Sequence, residues 1–258
     1  RRADLVVSYS SDETLRWVRE RVPLHVPLRA YRHRMGVGMI GRGALKTWAA
    51  TKEPGEGGEA GTSVSTARDA ARAVALFEQR GCVSPHAFLV ERGGDLDPEE
   101  WATILAEALR ELETEIPSTE AALESRIMIQ QLRGTLELEE GLGRGRVLHG
   151  GENALWTVAY LPEGALEPSC LHRTVRVIPV DGPEDAVARL QPLTSYLQTV
   201  GMAGFGDRTA ELAETLARLG VSRIADIGDV PWPKSWWRHD GSGPLQDLVR
   251  WTDLEGTG

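Results

Sequence analysis

Residues 66–90, TARDAARAVALFEQRGCVSPHAFLV, join a helical pattern to a strand pattern through the pair Gly-Cys. Three apolar residues share one face of the predicted helix: Ala70, Val74 and Phe77. The apolar run AFLV predicts a strand, and Pro85 before it stops any continuation of the helix. Cys82 lies between the two elements. It is either a small apolar filler in a buried turn or a thiol whose pKa is lowered by nearby backbone amides.

The same alternation of strand and helix patterns continues on both sides of this stretch. Strands are predicted at residues 5–8, 28–31, 36–40, 87–90, 155–160, 175–180 and 222–227. Helices are predicted from a capping-box-like Ser-Ser-Asp-Glu at residues 10–13 to 19, and at 97–112, 117–132, 184–190 and 208–219. Strands that alternate with helices indicate an α/β fold, a largely parallel sheet covered by helices. Residues 51–62, TKEPGEGGEAGT, are polar and Gly-rich and are interpreted as a loop or linker.

Composition excludes several classes of protein. The chain has 258 residues, 41% hydrophobic and 26% charged, which is typical of a globular protein. Its formal charge of -9 argues against a broad nucleic-acid-binding surface. Two cysteines cannot form a dense disulfide framework, and no apolar run approaches the length of a membrane span, so a cytoplasmic location is expected.

Four segments, in order, resemble one enzyme family. The decisive one is FEQRGCVSPH at residues 77–86, and the others are ADLVVSYSSDET from residue 3, AYRHRMGVGMIG from residue 30 and WWRHDGSGPLQDLVRWTD from residue 236. Together they resemble the bioluminescence-type bacterial fatty-acyl-CoA reductases, a branch of the aldehyde dehydrogenase superfamily. The resemblance covers nearly the whole chain, and it implies an aldehyde-dehydrogenase-like catalytic domain with the closing elements of a Rossmann-like cofactor domain.

The resemblance also implies a reaction with Cys82 as its nucleophile. The Cys82 thiolate would attack an acyl-CoA thioester and expel coenzyme A, and hydride from NADPH, or from NADH, would reduce the acyl-cysteine to a fatty aldehyde. The backbone N–H of Cys82 is a candidate donor to the developing oxyanion. His33 stands where aldehyde-oxidising relatives carry a Glu that activates water, a base that a reductase should lack. His33 is therefore a candidate for proton transfer, and a structural histidine in a turn is the alternative.

Domain organisation and partners follow from the same resemblance. Residues 1–62 would close the dinucleotide-binding domain and end in a linker, residues 63–230 would form the catalytic domain, and residues 231–258 would return towards the cofactor domain. The long first part of such a cofactor domain is not in the sequence. One hypothesis is therefore that the chain is an incomplete, catalytically incompetent portion of a longer protein. An acyl-protein synthetase or an acyl-transferase is the implied partner, and a homo-oligomer is expected.

Weaker candidates complete the predicted site. Ser10 and Ser11, where the first helix begins, are candidates for cofactor binding, although an acidic first turn disfavours phosphate. His86 and His239 are candidates for substrate binding, with packing or loop anchoring as the alternatives. Cys170 and His172 are two ligands without a third, so no metal site is predicted.

Two other functions stay open at this point. A cysteine-dependent acyltransferase or thioesterase would use Cys82 without a nicotinamide, although the sequence shows no clear Cys-His-acid set. A non-catalytic interaction module would require Cys82 to be unreactive towards thioesters and alkylating agents.

Overall fold

The computed structural model describes residues 3–47, 62–151, 154–243 and 245–256. The chain divides into two compact units, Arg1–Arg34 with Pro233–Gly258, and Met35–Trp232. The boundary falls earlier than the predicted division after residue 62, because the strand that follows Arg34 pairs with strands of the second unit. The function assigned to each unit stays a prediction. The predicted linker lies, apart from Thr62, outside the described residues.

The first unit contains two parallel strands joined by a helix. These are β1 (Val6–Tyr9), α1 (Asp12–Arg21) and β2 (Leu28–Tyr31). Helix α1 begins after Ser11, whose hydroxyl accepts a hydrogen bond from the Thr14 backbone N–H at 3.2 Å. The predicted strands and helix of this unit are thus confirmed to within two residues at each end.

A seven-stranded sheet organises the second unit. Its strands are β3 (Met35–Ile40), β4 (Pro85–Glu91), β5 (Arg146–His149), β6 (Thr157–Tyr160), β7 (Thr174–Val180), β8 (Leu197–Ala203) and β9 (Arg223–Asp226). The order across the sheet is β5-β6-β7-β4-β3-β8-β9. Only the β5–β6 pair is antiparallel among these strands, so the predicted largely parallel α/β sheet is confirmed.

Five helices accompany this sheet in the described part of the second unit: α2 (Ser63–Ala75), α3 (Pro98–Glu115), α4 (Leu123–Gly141), α5 (Pro183–Leu190) and α6 (Thr209–Arg218). One face of the sheet meets α2 and α3, and there Phe88 of β4 packs edge-on against the buried Trp101 of α3. The opposite face meets α5 and α6 through an apolar cluster that includes Met39, Val200 and Leu216. None of the described helices combines the length and apolarity that crossing a bilayer requires.

Three sequence expectations for the second unit were wrong. Strands β5 and β8 were not predicted, and β8 lies between β3 and β9. Helix α4 begins at Leu123 and not near residue 117, because the Glu113 carboxylate accepts hydrogen bonds from both the backbone N–H and the hydroxyl of Ser118. Helix α2 ends at Ala75, so Phe77 is not part of its buried face and is 62% exposed.

Candidate active site around Cys82

Two left-handed turns precede strands at the amino-terminal edge of the sheet. Phe77, Glu78 and Gln79 have φ of 60°, 51° and 60°, and residues 171–173 have φ of 69°, 53° and 62°. Non-glycine residues rarely adopt this conformation, and surrounding contacts must compensate for its strain. The first turn leads into the Cys82 segment and β4, and the second leads into β7, which pairs with β4. Two sets of side-chain contacts hold these turns.

Gln79 joins the two turns through neutral hydrogen bonds. Its side chain is 1% exposed, and its Nε2 donates to the carbonyl oxygens of Pro85 and Thr174, both at 2.9 Å. Its Oε1 accepts from the Thr174 backbone N–H at 2.9 Å and from the Ser169 hydroxyl at 3.4 Å. One amide side chain thus satisfies backbone groups of β4 and β7 at their first residues.

A buried ion pair adds a second connection. The guanidinium of Arg173, fully buried, donates to Glu78 Oε1 at 2.8 Å and to Glu113 Oε1 at 3.1 Å. The backbone N–H of His172 also donates to the Glu78 carbonyl at 3.4 Å. Glu78 of the first turn is therefore paired with Arg173 of the second. This ion pair helps to keep both turns in place although their backbones are strained.

Cys82 lies in a tight turn that rests on β3. The Ser84 N–H donates to the Gly81 carbonyl at 2.9 Å, and the Ser84 carbonyl accepts from the Gly36 N–H at 3.0 Å. A Cβ at Gly36 would lie 2.2 Å from the Val83 carbonyl oxygen, so only glycine permits this approach. The Cys82 side chain is partly exposed. Its backbone is thus fixed at the sheet edge, and the residue is only partly buried.

His86 is a neutral, buried side chain at the start of β4. It is 7% exposed, and its Nδ1 accepts a hydrogen bond from the Ser169 backbone N–H at 3.0 Å. Burial, together with the positive charge of Arg176, lowers the pKa of His86 to about 4. Near neutral pH the imidazole is therefore uncharged, and its acceptor nitrogen is already occupied. A role in substrate binding stays a prediction.

The remaining predicted histidines belong to the first unit. His33 follows β2 and is exposed. His239 packs edge-on against Tyr31, with ring centroids 4.7 Å apart, and against Trp237 at 4.8 Å. Burial lowers the pKa of His239, the Asp240 charge opposes this, and two arginines reinforce the lowering. The predicted roles of His33 in proton transfer and of His239 in substrate binding stay predictions.

The predicted cofactor residues Ser10 and Ser11 are engaged in local hydrogen bonds. Ser10 Oγ donates to the Tyr9 carbonyl at 2.7 Å, and the Ser11 hydroxyl caps α1. Asp12 and Glu13 follow in the first turn of the helix and place negative charge where a phosphate would bind. These residues therefore do not fit a phosphate group on their own, and their assignment to cofactor binding stays a prediction.

Cys170 and His172 take part in the packing before β7. Cys170 Sγ lies 3.6 Å from Thr174 Oγ1. Burial, reinforced by the Arg80 charge, lowers the pKa of His172. Across the described ranges, no group of three or more His, Cys, Asp or Glu residues has the arrangement of a metal site.

Three side chains near the ends of the central strands were not identified from the sequence. They are Gln79, Glu91 at the end of β4, and Arg223 at the start of β9. Glu91 is 1% exposed and accepts hydrogen bonds from both Arg42 and Arg208. Gln79 and Glu91 act through partners 95 and 117 residues away, and a local sequence pattern does not show such partners.

Comparison with solved structures shows the fold. Bradyrhizobium japonicum proline utilization A is 16% identical with a TM-score of 0.61, and the match covers 87% of this chain and 22% of that one. An indole-3-acetaldehyde dehydrogenase of P. syringae, solved with NAD+, is 14% identical with a TM-score of 0.60, over 87% and 44% of the two chains. Both matches confirm the predicted aldehyde-dehydrogenase-like fold of the chain.

Sequence comparison shows the family. A curated relative, the long-chain acyl-protein thioester reductase of Aliivibrio fischeri, is 24% identical over 255 residues, which is 98% of this chain and 47% of the relative. The chain thus spans about half the length of that relative. The sequence profile described as "Acyl-CoA reductase (LuxC)" matches residues 1–251. With that match over nearly its whole length, the chain belongs to the acyl-CoA reductase (LuxC) family.

Proposed function

We propose that Cys82 is the nucleophile in the reduction of a long-chain acyl thioester to a fatty aldehyde. The observation that carries this proposal is the Cys82 turn, which combines a partly exposed thiol with a backbone fixed by Gly36 and Ser84 in a chain of the LuxC family. A nucleophile must be both accessible and held in place. Both cysteines are partly exposed, and of the two it is Cys82 that lies in the turn fixed by Gly36 and Ser84.

The chemistry proceeds through an acyl-cysteine. The Cys82 thiolate bonds to the thioester carbonyl carbon, and the bond from that carbon to the leaving sulfur breaks, which releases a thiolate that then takes up a proton. Because the pKa of His86 is about 4, this residue adds no positive charge beside Cys82 near pH 7. We propose a reduced nicotinamide, NADPH or NADH, as the source of hydride, as the family resemblance implies. After hydride addition the thiohemiacetal carbon–sulfur bond breaks, so the aldehyde leaves and Cys82 is restored.

The acyl donor is either acyl-CoA or an acylated protein. The family description names acyl-CoA, whereas the Aliivibrio fischeri relative is named for an acyl-protein thioester. Both are thioesters and present the same carbonyl to Cys82, so the proposed chemistry is common to them. A protein donor would make an acyl-protein synthetase or acyl-transferase the partner that supplies the substrate. We also propose that His33 takes part in proton transfer by protonating the departing thiolate.

The test is an acylation assay read by intact mass. Wild type, Cys82→Ala and the matched Cys170→Ala variant are incubated with acyl-CoA thioesters of increasing chain length, and half of each sample then receives hydroxylamine. We expect a hydroxylamine-labile acyl adduct on wild type and Cys170→Ala and none on Cys82→Ala. An adduct that persists in Cys82→Ala, or none on wild type with any thioester, would contradict the proposal for this chain.

The same samples separate the competing functions. Fatty aldehyde formed only with NADPH or NADH supports the reductase, and the two nicotinamides are compared at equal concentration. Free fatty acid, or an acyl group passed to another acceptor without nicotinamide, would instead support a thioesterase or acyltransferase. A Cys82 that reacts neither with thioesters nor with iodoacetamide would support a non-catalytic module.

A further inference from the structure

Arg223 lies in the same row of paired residues across the sheet as Pro85, the first residue of the strand that follows Cys82. Pro85 of β4 pairs with Gly36 of β3, Gly36 pairs with Thr199 of β8, and Thr199 pairs with Arg223 of β9. Neighbouring strands are about 4.8 Å apart, so the Arg223 backbone lies about 10 Å from that of Gly36. Gly36 is the residue on which the Cys82 turn rests. The row therefore connects Arg223 of β9 with Gly36, which lies directly beneath the Cys82 turn.

The side chain of Arg223 lies on the face of the sheet that the Cys82 turn covers. A Cβ at Gly201 would meet Val230 and Ile227, which fixes the direction of that position, and Gly201 pairs with Ala225. Residues two apart on a strand point to the same face, so Arg223 points the same way as Ala225. Thr199 and its neighbour Gly36 share this face by the same rule. The Val83 carbonyl covers Gly36 there.

Two backbone carbonyls hold the guanidinium of Arg223. Its Nη1 donates to the Val230 carbonyl and its Nη2 to the Asp229 carbonyl, both at 2.7 Å. Burial lowers the pKa of Arg223, while the charge of Asp229 and the ionised form of Cys82 act in the opposite direction. The guanidinium and the Cys82 sulfur are therefore within electrostatic reach of each other. An arginine remains protonated under these conditions, so the charge is permanent.

We propose that Arg223 is a positioning residue that holds a fixed positive charge near Cys82 and so favours the thiolate. This rests on the proposed function of Cys82 as the nucleophile. A nearby cation stabilises a thiolate relative to the thiol, and the thiolate is the form that attacks a carbonyl. The two carbonyl acceptors are themselves uncharged, so these hydrogen bonds hold the guanidinium in place and leave its charge unchanged.

Charged groups of both signs lie around this face. Burial raises the pKa of Asp69 on α2, and the charges of Asp226 and Asp229 raise it further, against the influence of Arg72. Carboxylates disfavour a thiolate, whereas the exposed Arg80, two residues before Cys82, favours one. His86 is neutral at pH 7 and contributes no charge. Arg223 therefore acts against the carboxylates, and its removal should have a clear effect on Cys82.

The experiment measures alkylation of Cys82 by iodoacetamide between pH 5.5 and 10, followed at the Cys82 peptide by mass spectrometry. The Cys170 peptide of the same sample is the internal reference. We expect Arg223→Met to move the midpoint of the Cys82 profile up by about one pH unit and to slow alkylation at pH 7 about tenfold. Arg223→Lys should keep most of the rate. Arg218→Met, an exposed arginine of α6, should match wild type.

A second variant keeps the test valid if Arg223→Met fails to fold. Asp229→Asn retains the backbone carbonyl that accepts from Arg223 and removes a carboxylate, so the Cys82 profile should move to lower pH. Profiles unchanged in both variants, or unchanged in a folded Arg223→Met, would overturn the proposal. Alkylation needs neither thioester nor nicotinamide. A shifted profile without acylation would therefore count against the proposed function alone, and acylation without a shift would count against Arg223 alone.

Discussion

The two ends of β4 are stabilised in different ways. Before its first residue, the turns are held by backbone contacts, by the neutral amide of Gln79 and by the buried ion pair of Arg173 with Glu78. At its last residue, Glu91 is buried between two guanidinium groups. A neutral amide therefore makes the side-chain contact with the first residue of β4, and the charged groups there belong to the preceding turns. At the other end the charged group belongs to the strand itself.

The largest expected effect comes from breaking the charged end. Glu91→Ala removes a carboxylate that accepts from two arginines and from the Arg42 backbone N–H at 2.9 Å. Because the arginines are left without their buried partner, we expect the free energy of unfolding to fall by about 3 kcal/mol. Urea unfolding at pH 7 measures this loss.

The control for this loss is an exposed ion pair. Asp181→Asn breaks a contact with Arg92 in which the aspartate side chain is 82% exposed, and it should change stability by less than about 1 kcal/mol. Equal effects of the two substitutions would show that the cluster around Glu91 is no more important than a surface pair. Alkylation of Cys82 should be unchanged in Glu91→Ala at temperatures where the variant is folded.

Removing the neutral amide of Gln79 should give a smaller loss of stability but a change in the reactivity of Cys82. Gln79→Ala leaves the Thr174 N–H and two carbonyls without their partner, which should cost about 2 kcal/mol. Since the left-handed turn loses its connection to β7, the rate of Cys82 alkylation should also change. Gln191→Ala, at an exposed glutamine, is the matched control. An unaltered Cys82 rate in Gln79→Ala would mean that this turn does not position the thiol.

The smallest effect is a pH dependence that separates the two ends. In the unfolded chain His86 has its usual pKa of 6.5, whereas in the folded protein its pKa is about 4. Between these values the unfolded state takes up the proton, so stability falls as the pH falls, by up to about 2 kcal/mol from pH 7 to 5. His86→Asn keeps an acceptor for the Ser169 N–H and should lack this part of the loss. Urea unfolding of both proteins at pH 7 and 5 gives the difference, and equal pH dependence would contradict the assignment.

Glu91 responds in a lower window. Burial raises its pKa, but the hydrogen bonds from Arg208 and Arg42 outweigh burial and hold the pKa at about 2. The carboxylate therefore contributes stability above its usual value of 4.5, and this contribution is lost as the pH falls from 4.5 towards 2. Measurements between pH 7 and 5 thus report on His86 with Glu91 unchanged.

Hydrophobic periodicity predicted most strands because their apolar runs are local. Strand β8 was missed because its sequence LQTVGMA carries buried Gln198 and Thr199 and a glycine that Val230 packs against. The end of α2 was missed because Phe77 fits the helical spacing, although its φ of 60° is imposed by contacts with the distant β7 segment. Among site residues, Cys82 could be found because a nucleophile has a distinctive residue type.

Supporting residues could not be found in that way. Gln79 and Thr174 are 95 positions apart, and Glu91 and Arg208 are 117 apart. Single-sequence patterns contain no information on such pairs. The strand register of the sheet supplies this information. It places Arg223 in the same row of paired residues as Pro85.

The pairing of the two left-handed turns also has a consequence during protein synthesis. Gln79 meets Thr174 across 95 residues, and Arg223 is made later still. At about 5–20 residues per second, a ribosome needs about 5–20 s to proceed from Gln79 to Thr174. Throughout that interval the nascent chain carries Cys82 without the contacts that join the Gln79 turn to β7. The surroundings of this thiol are therefore completed only when β7 to β9 have emerged, which delays its maturation until most of the second unit has been translated.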